Sequence, residues 1–380
     1  MKVAFLVTHL LGTGHLARAL TLARACRDAG HDATVLSGGV PAPHLDATGL
    51  TLVQLPPLRS DGTNFTQLRD AAGDTASADH LRARQTMIRR ALSDIAPDVL
   101  VTELFPFGRR VLAAEFLTAV ETAHALPRPA VICASIRDIL APPSKPAKAD
   151  KTHAILDQFY DAVLVHSDPD VTPLDVSWPV TPTLAARLHY TGFVAPPAAL
   201  PHPQALGAGE ILVSAGGGDV GTDLFYAALH AATANPAQQW RLLVGGADAP
   251  ARVADLRAHA PANAHVEPAR PDFRQMLHHV TASVSMAGYN TALDLLQTGA
   301  PAVLVPFDAG GETEQTLRAQ ALAHWPGVAV LPTAKLSADT LRDGLARALQ
   351  SPRRPPLTQG LDGAAETVRI LDRLRANNDS

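Results

Sequence analysis

The sequence predicts an α/β protein of two parallel-sheet domains that face each other across a cleft, and three observations predict it. Short apolar runs alternate with amphipathic helical patterns along the whole chain. A breaker-rich stretch interrupts that rhythm once, near the middle. Each half opens with a strand, a glycine-rich turn and a helix. At 380 residues, 47% of them apolar, the chain is too long for one compact core and long enough for two.

In the first half the apolar runs fall at 3–7, 34–36, 52–55, 99–102, 130–134 and 162–166. Strands alternating with helices give a parallel sheet. Thr191-Gly192-Phe193-Val194-Ala195-Pro196-Pro197 then leads through Pro201, Pro203 and Gly207 without periodicity, which reads as a domain linker. Runs resume at 211–214, 241–244, 264–266, 282–285, 302–305 and 328–331. The expected organisation is a first Rossmann-like domain over 1–191, a linker over 192–209 and a second Rossmann-like domain over 210–360. A closing helix over 361–380 is placed back toward the first domain. The polar segment 59–79 lacks hydrophobic periodicity and is expected to be a mobile loop near the cleft.

With 32 basic against 36 acidic residues, a net charge of −4 provides no global positive field, so nucleic acid is not an expected partner. Cys26 and Cys133 lie far apart in apolar contexts, which argues against a disulfide framework and for a reducing compartment, the cytoplasm by default. The opening apolar run is short and broken by Thr8 and His9, unlike a signal peptide. No stretch approaches the roughly 18 to 20 apolar residues of a membrane helix. Peripheral membrane contact and oligomeric state stay open.

Gly12-Thr13-Gly14-His15-Leu16-Ala17 and Gly216-x-Gly218-x-x-Gly221 both match the dinucleotide fingerprint G-x-G-x-x-G/A. A nicotinamide or flavin site also needs an acid at the end of the second strand, where this chain has Ser37-Gly38-Gly39 and Gly245-Gly246. Phosphate contact survives that objection; so does a simple tight turn for strand–helix packing. His15 stands where a helix begins, suited to a base or a phosphate ligand, or to a turn without chemistry.

The richest stretch runs from Ser285 to Pro301 and contains Gly288-Tyr289-Asn290-Thr291-Ala292-Leu293-Asp294. A helix is expected to start near Asn290 or Thr291 and to stop at Gly299, with Pro301 preventing continuation. Gly288 would admit a phosphate to the backbone, the amides around Asn290 and Thr291 would donate to it, and Asp294 would accept from ribose hydroxyls. Thr291-x-x-Asp294 is equally a capping box. Glu312, Glu314 and Gln315 at the next helix start suit sugar hydroxyls, or a solvated first turn. Asp168-Pro169-Asp170 looks like a metal-binding D-x-D, but Pro169 reads as turn chemistry. No His/Cys grouping has zinc spacing and there is no G-x-S-x-G elbow, so no metal is expected. The basic helix carrying Arg82, Arg84, Arg89 and Arg90 reads as an exposed face.

These motifs together give the chain a resemblance to GT-B glycosyltransferases of the MurG-like group, which contains the N-acetylglucosaminyltransferase of peptidoglycan assembly. The likeness is to a branch reading His-Leu-Leu-Gly-Thr-Gly-His near the start, here residues 9–15, and Gly-Tyr-Asn-Thr-x-x-acid, here residues 288–294. It covers nearly the whole chain. The resemblance implies that the second domain holds a nucleotide-sugar donor, usually UDP-linked, and the first receives a hydroxyl acceptor of unknown identity. It places Gly216, Gly217 and Gly218 by the diphosphate or sugar, Ala269 and Arg270 by the base, and Gly288, Tyr289, Asn290 and Thr291 by the phosphate. Asp294 goes to the ribose, and Glu314 with Gln315 to the sugar. On the acceptor side it places the loop Gly12, Thr13 and Gly14 and the catalytic candidates His15, Glu103 and Asp138.

Two departures stand out. The group's usual ribose acid is glutamate, one methylene longer than Asp294, and the serine-glutamine pair after the glycines is replaced by Gly218 and Asp219. Donor sugar identity therefore does not transfer. The expected chemistry is inverting, with no metal or other cofactor required: helix N-termini and loop amides meet the charge on the departing diphosphate, and His15 or Glu103 takes the hydroxyl proton. Closure about the linker would exclude water. A nucleotide-sugar hydrolase or epimerase of the same architecture and a non-catalytic sugar-nucleotide binding protein are the alternatives.

Overall fold

The computed structural model describes residues 1–378 except 11–12, 62–63, 217–219, 247 and 310–311. The chain divides into two compact units, Met1–Val194 with Gly360–Ser380, and Ala195–Gln359.

Unit 1 holds an eight-stranded sheet of β1 (Lys2–Val7), β2 (Asp32–Gly39), β3 (Thr51–Asp61), β4 (Asn64–Arg69), β5 (Val99–Glu103), β6 (Val131–Arg137), β7 (Ala162–His166) and β8 (Leu188–Tyr190). Their order is β4-β3-β2-β1-β5-β6-β7-β8. All neighbours are parallel except β3 and β4. The central strands are apolar on both sides because helices cover both faces. Along β1, Val3, Phe5 and Val7 join one core while Ala4 and Leu6 join the other. Each fully buried side chain of this kind contributes about 1.5–3 kcal/mol. The helices Gly14–Asp28 and Gly363–Asn378 cover the first face, the latter returning Val368, Ile370 and Leu371 to it. Ala78–Ile95, Ala113–His124 and Pro146–Phe159 cover the second.

Unit 2 holds a wholly parallel six-stranded sheet of β9 (Glu210–Ser214), β10 (Gln239–Val244), β11 (Ala264–Pro268), β12 (Ala282–Ser285), β13 (Ala302–Leu304) and β14 (Val328–Val330), in the order β11-β10-β9-β12-β13-β14. Ile211 and Val213 of β9 and Ala282 and Val284 of β12 enter one core together with residues of the helices Thr222–Ala234 and Ala338–Leu349. Every apolar run read from the sequence overlaps a strand. No helix among the described residues is long and apolar enough to cross a membrane.

Several local expectations are corrected. Much of the segment 59–79 is an antiparallel hairpin of β3 and β4, Arg59 pairing with Arg69 and Ser60 with Leu68. It leads into the helix Ala78–Ile95, whose start is capped by Ser77 Oγ accepting from the His80 amide at 3.1 Å. Polar edge strands satisfy their backbone by pairing and need no apolar alternation, so periodicity misses them. Arg84 is not on an exposed face: it is fully buried, and its Nε and Nη2 donate to Glu115 Oε2 and Oε1, both at 2.8 Å. Asp168-Pro169-Asp170 is a turn, with Asp168 Oδ1 accepting the Asp170 amide at 2.9 Å.

Candidate functional site

In unit 1 all the parallel strands end at one edge, and the sequence places polar residues there. Glu103 is the last residue of β5 and pairs in register with Ser135 of β6, while Arg137 of β6 pairs with His166, the last residue of β7. Register partners on parallel strands project to the same face, and a step of two residues preserves that face. Glu103, Ser135 and His166 therefore share the side covered by Gly14–Asp28, whose first turn carries His15 and Arg18.

Glu103 is 4% exposed. Its Oε1 accepts from His15 Nδ1 at 2.8 Å and from Arg18 Nη2. Its Oε2 accepts from Ser135 Oγ at 2.7 Å and from Arg18 Nε at 3.4 Å. Burial opposes the charge, but Arg18, His15 and these donors outweigh it and hold the carboxyl well below the usual carboxylate range. An ionised carboxylate only accepts, and Glu103 Oε1 at 2.8 Å stands closer to Nδ1 than the Arg18 Nη2 donor at 3.2 Å, which places the imidazole proton on Nδ1. Nε2 is then the basic nitrogen of His15, whose side chain is 16% exposed. Burial, aided by Arg18 and Arg109 and opposed by Glu103, lowers its pKa to about 4. The ring is neutral at pH 7.

Of the other residues assigned to this side, Thr13 precedes the helix and its Oγ1 lies 3.2 Å from His44 Nε2. Gly14 opens the helix with open space where a side chain would be. Asp138 is buried one residue past β6. Gly12 lies outside the described residues.

In unit 2 the helix Tyr289–Thr298 follows β12 with Gly288 at its N-cap. It starts earlier than the sequence suggested, and the capping box is not made: Gly288 offers no side chain, and Asp294 turns elsewhere. The first intrahelical bond is donated by Ala292 to the Gly288 carbonyl, so the amides of Asn290 and Thr291 have no partner within the helix. Gly288 has an ordinary φ of −63° and nothing within 4 Å of where a Cβ would stand. The far end closes as expected at Gly299, with φ 65°.

Asp294 is 8% exposed, and its Oδ1 accepts from Arg274 Nε at 2.6 Å. Burial raises its pKa against the pull of that arginine. Arg274 also donates to Gln297 Oε1 and to the Pro197 carbonyl, both at 2.8 Å. Glu314 Oε1 accepts from Arg318 Nη2 at 2.8 Å, and Gln315 Oε1 accepts the Phe307 amide at 3.1 Å. Arg318 is buried with its Nη1 donating to the Ala287 carbonyl and its guanidinium 5.7 Å from the Tyr289 ring centre. Arg270 donates to both Asp272 oxygens and to Glu267, while the amide of exposed Ala269 is held by the Val244 carbonyl. Gly216 adopts φ 81° just past β9; Gly217 and Gly218 lie outside the described residues.

The structure thus brings His15 and Glu103 into contact and sets Gly288, Tyr289, Asn290, Thr291 and Asp294 on one short helix start. It also adds residues that sequence reasoning passed over: Arg18, Ser135 and His166 in unit 1, Arg274 and Arg318 in unit 2. Ser135 and His166 carried a usable signal, since each is a polar residue at the end of an apolar run.

Residues 215–368 match the family model of the glycosyltransferase family 28 C-terminal domain. Solved structures share the whole architecture. The calicheamicin glycosyltransferase CalG4 is 19% identical, with a TM-score of 0.65 over 99% of this chain and 97% of its own. MurG of Acinetobacter baumannii is 17% identical, with a TM-score of 0.61 over 100% and 99%. A UGT transferase from Siraitia grosvenorii, solved in complex with UDP, is 12% identical, with a TM-score of 0.60 over the full length of both chains. The fold is that of the GT-B glycosyltransferases.

Proposed function

We propose that this chain is a glycosyltransferase that moves a sugar from a nucleotide-diphosphate donor, UDP-linked, to an acceptor hydroxyl, with inversion and without a metal ion. The observation that carries the reading is the His15–Glu103 pair. Glu103 receives donors on both oxygens and stays ionised, so the base is His15, through Nε2. As the acceptor oxygen bonds to the anomeric carbon, its proton passes to Nε2 and the bond from that carbon to the diphosphate oxygen breaks, its electron pair leaving with the diphosphate. Glu103 then faces an imidazolium it can stabilise.

The family match over 215–368 and the UDP bound by the Siraitia grosvenorii protein support a nucleotide-sugar donor in unit 2. The uncapped start of Tyr289–Thr298 supplies amides for its phosphate. Asp294 serves the ribose, Glu314 and Gln315 the sugar hydroxyls, and Arg270 with Ala269 the base; Gly216 and its two following glycines line the diphosphate. Asp138 with Thr13 and Gly14 serves the acceptor.

The test is His15→Ala. Turnover falls by at least about a hundredfold while UDP affinity stays within about twofold, measured by steady-state kinetics and calorimetry; unchanged turnover at saturating substrates removes His15 from the mechanism. Thermal shifts with UDP, dTDP, GDP and NAD identify the donor class, since a ligand at a hundred times its Kd adds about 2.7 kcal/mol. Rapid release of free sugar without acceptor would instead indicate a hydrolase.

A further inference from the structure

Behind Glu103 a line of buried polar groups continues away from His15. Ser135 Oγ lies 2.7 Å from Glu103 Oε2 and 2.9 Å from His166 Nε2, and His166 Nδ1 lies 2.9 Å from Thr191 Oγ1. Ser135, His166 and Thr191 are 1%, 0% and 2% exposed. The Thr191 amide is itself held on β7 by the Val165 carbonyl at 3.0 Å. Desolvating three such groups is costly unless their bonds are made, and Arg18 alone already offsets the Glu103 charge.

We propose that Ser135 and His166 are positioning residues, which through this chain orient the Glu103 carboxylate and so select the His15 tautomer that leaves Nε2 basic. The inference rests on the reading of His15 as the base. Its core is proton bookkeeping. Ser135 has one proton and two neighbours that could accept it. Giving it to His166 would press a hydroxyl lone pair against a buried carboxylate at 2.7 Å, so it goes to Glu103, the charged acceptor. Ser135 must then receive from His166, which places the single imidazole proton of His166 on Nε2. Burial and Arg18 keep that ring neutral, with a pKa of about 3 against the pull of Glu103. Nδ1 of His166 is left as an acceptor facing the Thr191 hydroxyl at 2.9 Å, whose one proton is shared between it and the Gly192 carbonyl at 2.7 Å, so the tautomer is set from the charged Glu103 end. Glu103 thereby has donors on every side: His15 and Arg18 at Oε1, Ser135 and Arg18 at Oε2. A carboxylate so held cannot rotate to release Nδ1 of His15.

Selective ¹⁵N labelling of histidine in the full-length protein, without ligand, tests the chain directly. His15 is expected as the Nδ1–H tautomer and His166 as the Nε2–H tautomer at pH 7. In Ser135→Ala the Glu103 carboxylate loses a donor and pulls harder on the imidazole proton, so the His15 pKa rises by about half a unit or more. The groups facing His15, namely Glu103, Arg18 and Arg109, are otherwise unchanged. Turnover falls about tenfold with the donor KM unchanged. His166→Gln, which keeps a donor toward Ser135, stays within about threefold of the parent, while His166→Leu follows Ser135→Ala. An Nδ1–H tautomer at His166, or a His15 titration indifferent to Ser135→Ala, overturns the proposal even in an active enzyme. An inactive protein with both tautomers as stated overturns the transferase reading and leaves the chain standing.

Discussion

The polar edges of the two sheets handle charge in opposite ways. In unit 1 the buried carboxylate of Glu103 draws donors from three residues, His15, Arg18 and Ser135, and one histidine nitrogen remains basic. In unit 2 Asp294 is paired with Arg274 and Glu314 with Arg318, and what remains is a helix start that no side chain caps among the described residues. The first edge leaves an acceptor, the second leaves donors. A proton-taking group needs a saturated, dry surrounding that holds one lone pair in place; an anion-holding group needs amides that no neighbouring side chain has claimed.

Four measurements would break or sharpen that contrast. The largest effect belongs to Glu103→Ala, which strips the counter-charge from buried Arg18. It should destabilise unit 1 by about 3–5 kcal/mol and abolish turnover while UDP affinity persists in unit 2; equal loss of both would erase the distinction. Acid should come next. His15 and His166 are held near pKa 4 and 3 against 6.5 when unfolded, so the unfolded chain binds more protons in that window and stability falls as pH drops below 6.5. The slope reaches about 1.4 kcal/mol per pH unit for each ring, and the depressed Glu103 acts in the same direction below its ordinary pKa of 4.5. Asp294, raised by burial, acts oppositely. Hydrogen-exchange protection in β5 to β7 should therefore fall between pH 6.5 and 4.5 before that in β12 and β13.

A smaller change is expected from Asp294→Ala. Arg274 is 28% exposed and can hydrate once unpaired, so stability should move by no more than about 1 kcal/mol. UDP affinity should fall about tenfold, the worth of one hydrogen bond to a charged group. Calorimetry with UDP reads it, and undiminished affinity would take Asp294 out of the ribose role. The smallest and cleanest effect is that of Gly288→Ala. Its φ of −63° suits alanine and the space is open, so the melting temperature should not move. A phosphate seated against that backbone would nonetheless be pushed off by the new methyl, weakening UDP severalfold, within the roughly 1–3 kcal/mol of a tight contact. Identical UDP binding would place the phosphate elsewhere.

Most strands were legible because a strand covered on both faces is apolar nearly throughout, as runs such as 3–7 and 302–305 are. The antiparallel β4 and the three-residue β8 were not, since an edge strand can satisfy its backbone with polar side chains and a short one carries no pattern. His15 and Glu103 were each legible as a polar residue at a strand or helix end. Their bond was not, because 88 positions separate them in the chain. Arg84 was misjudged for the same reason: a helix pattern shows one face of charge and cannot show Glu115 waiting under it.

The amino-acid sequence by itself determined the alternation of strand and helix, the glycine turns and the helix stop at Gly299, because periodicity, φ preference and capping act over a few neighbouring residues. Only the tertiary structure decided which nitrogen of His15 is basic, which arginine each carboxylate keeps, and that Ser135 and His166 stand behind Glu103. Those are matters of register between strands and of burial, and both arise only when distant segments pack and exclude water.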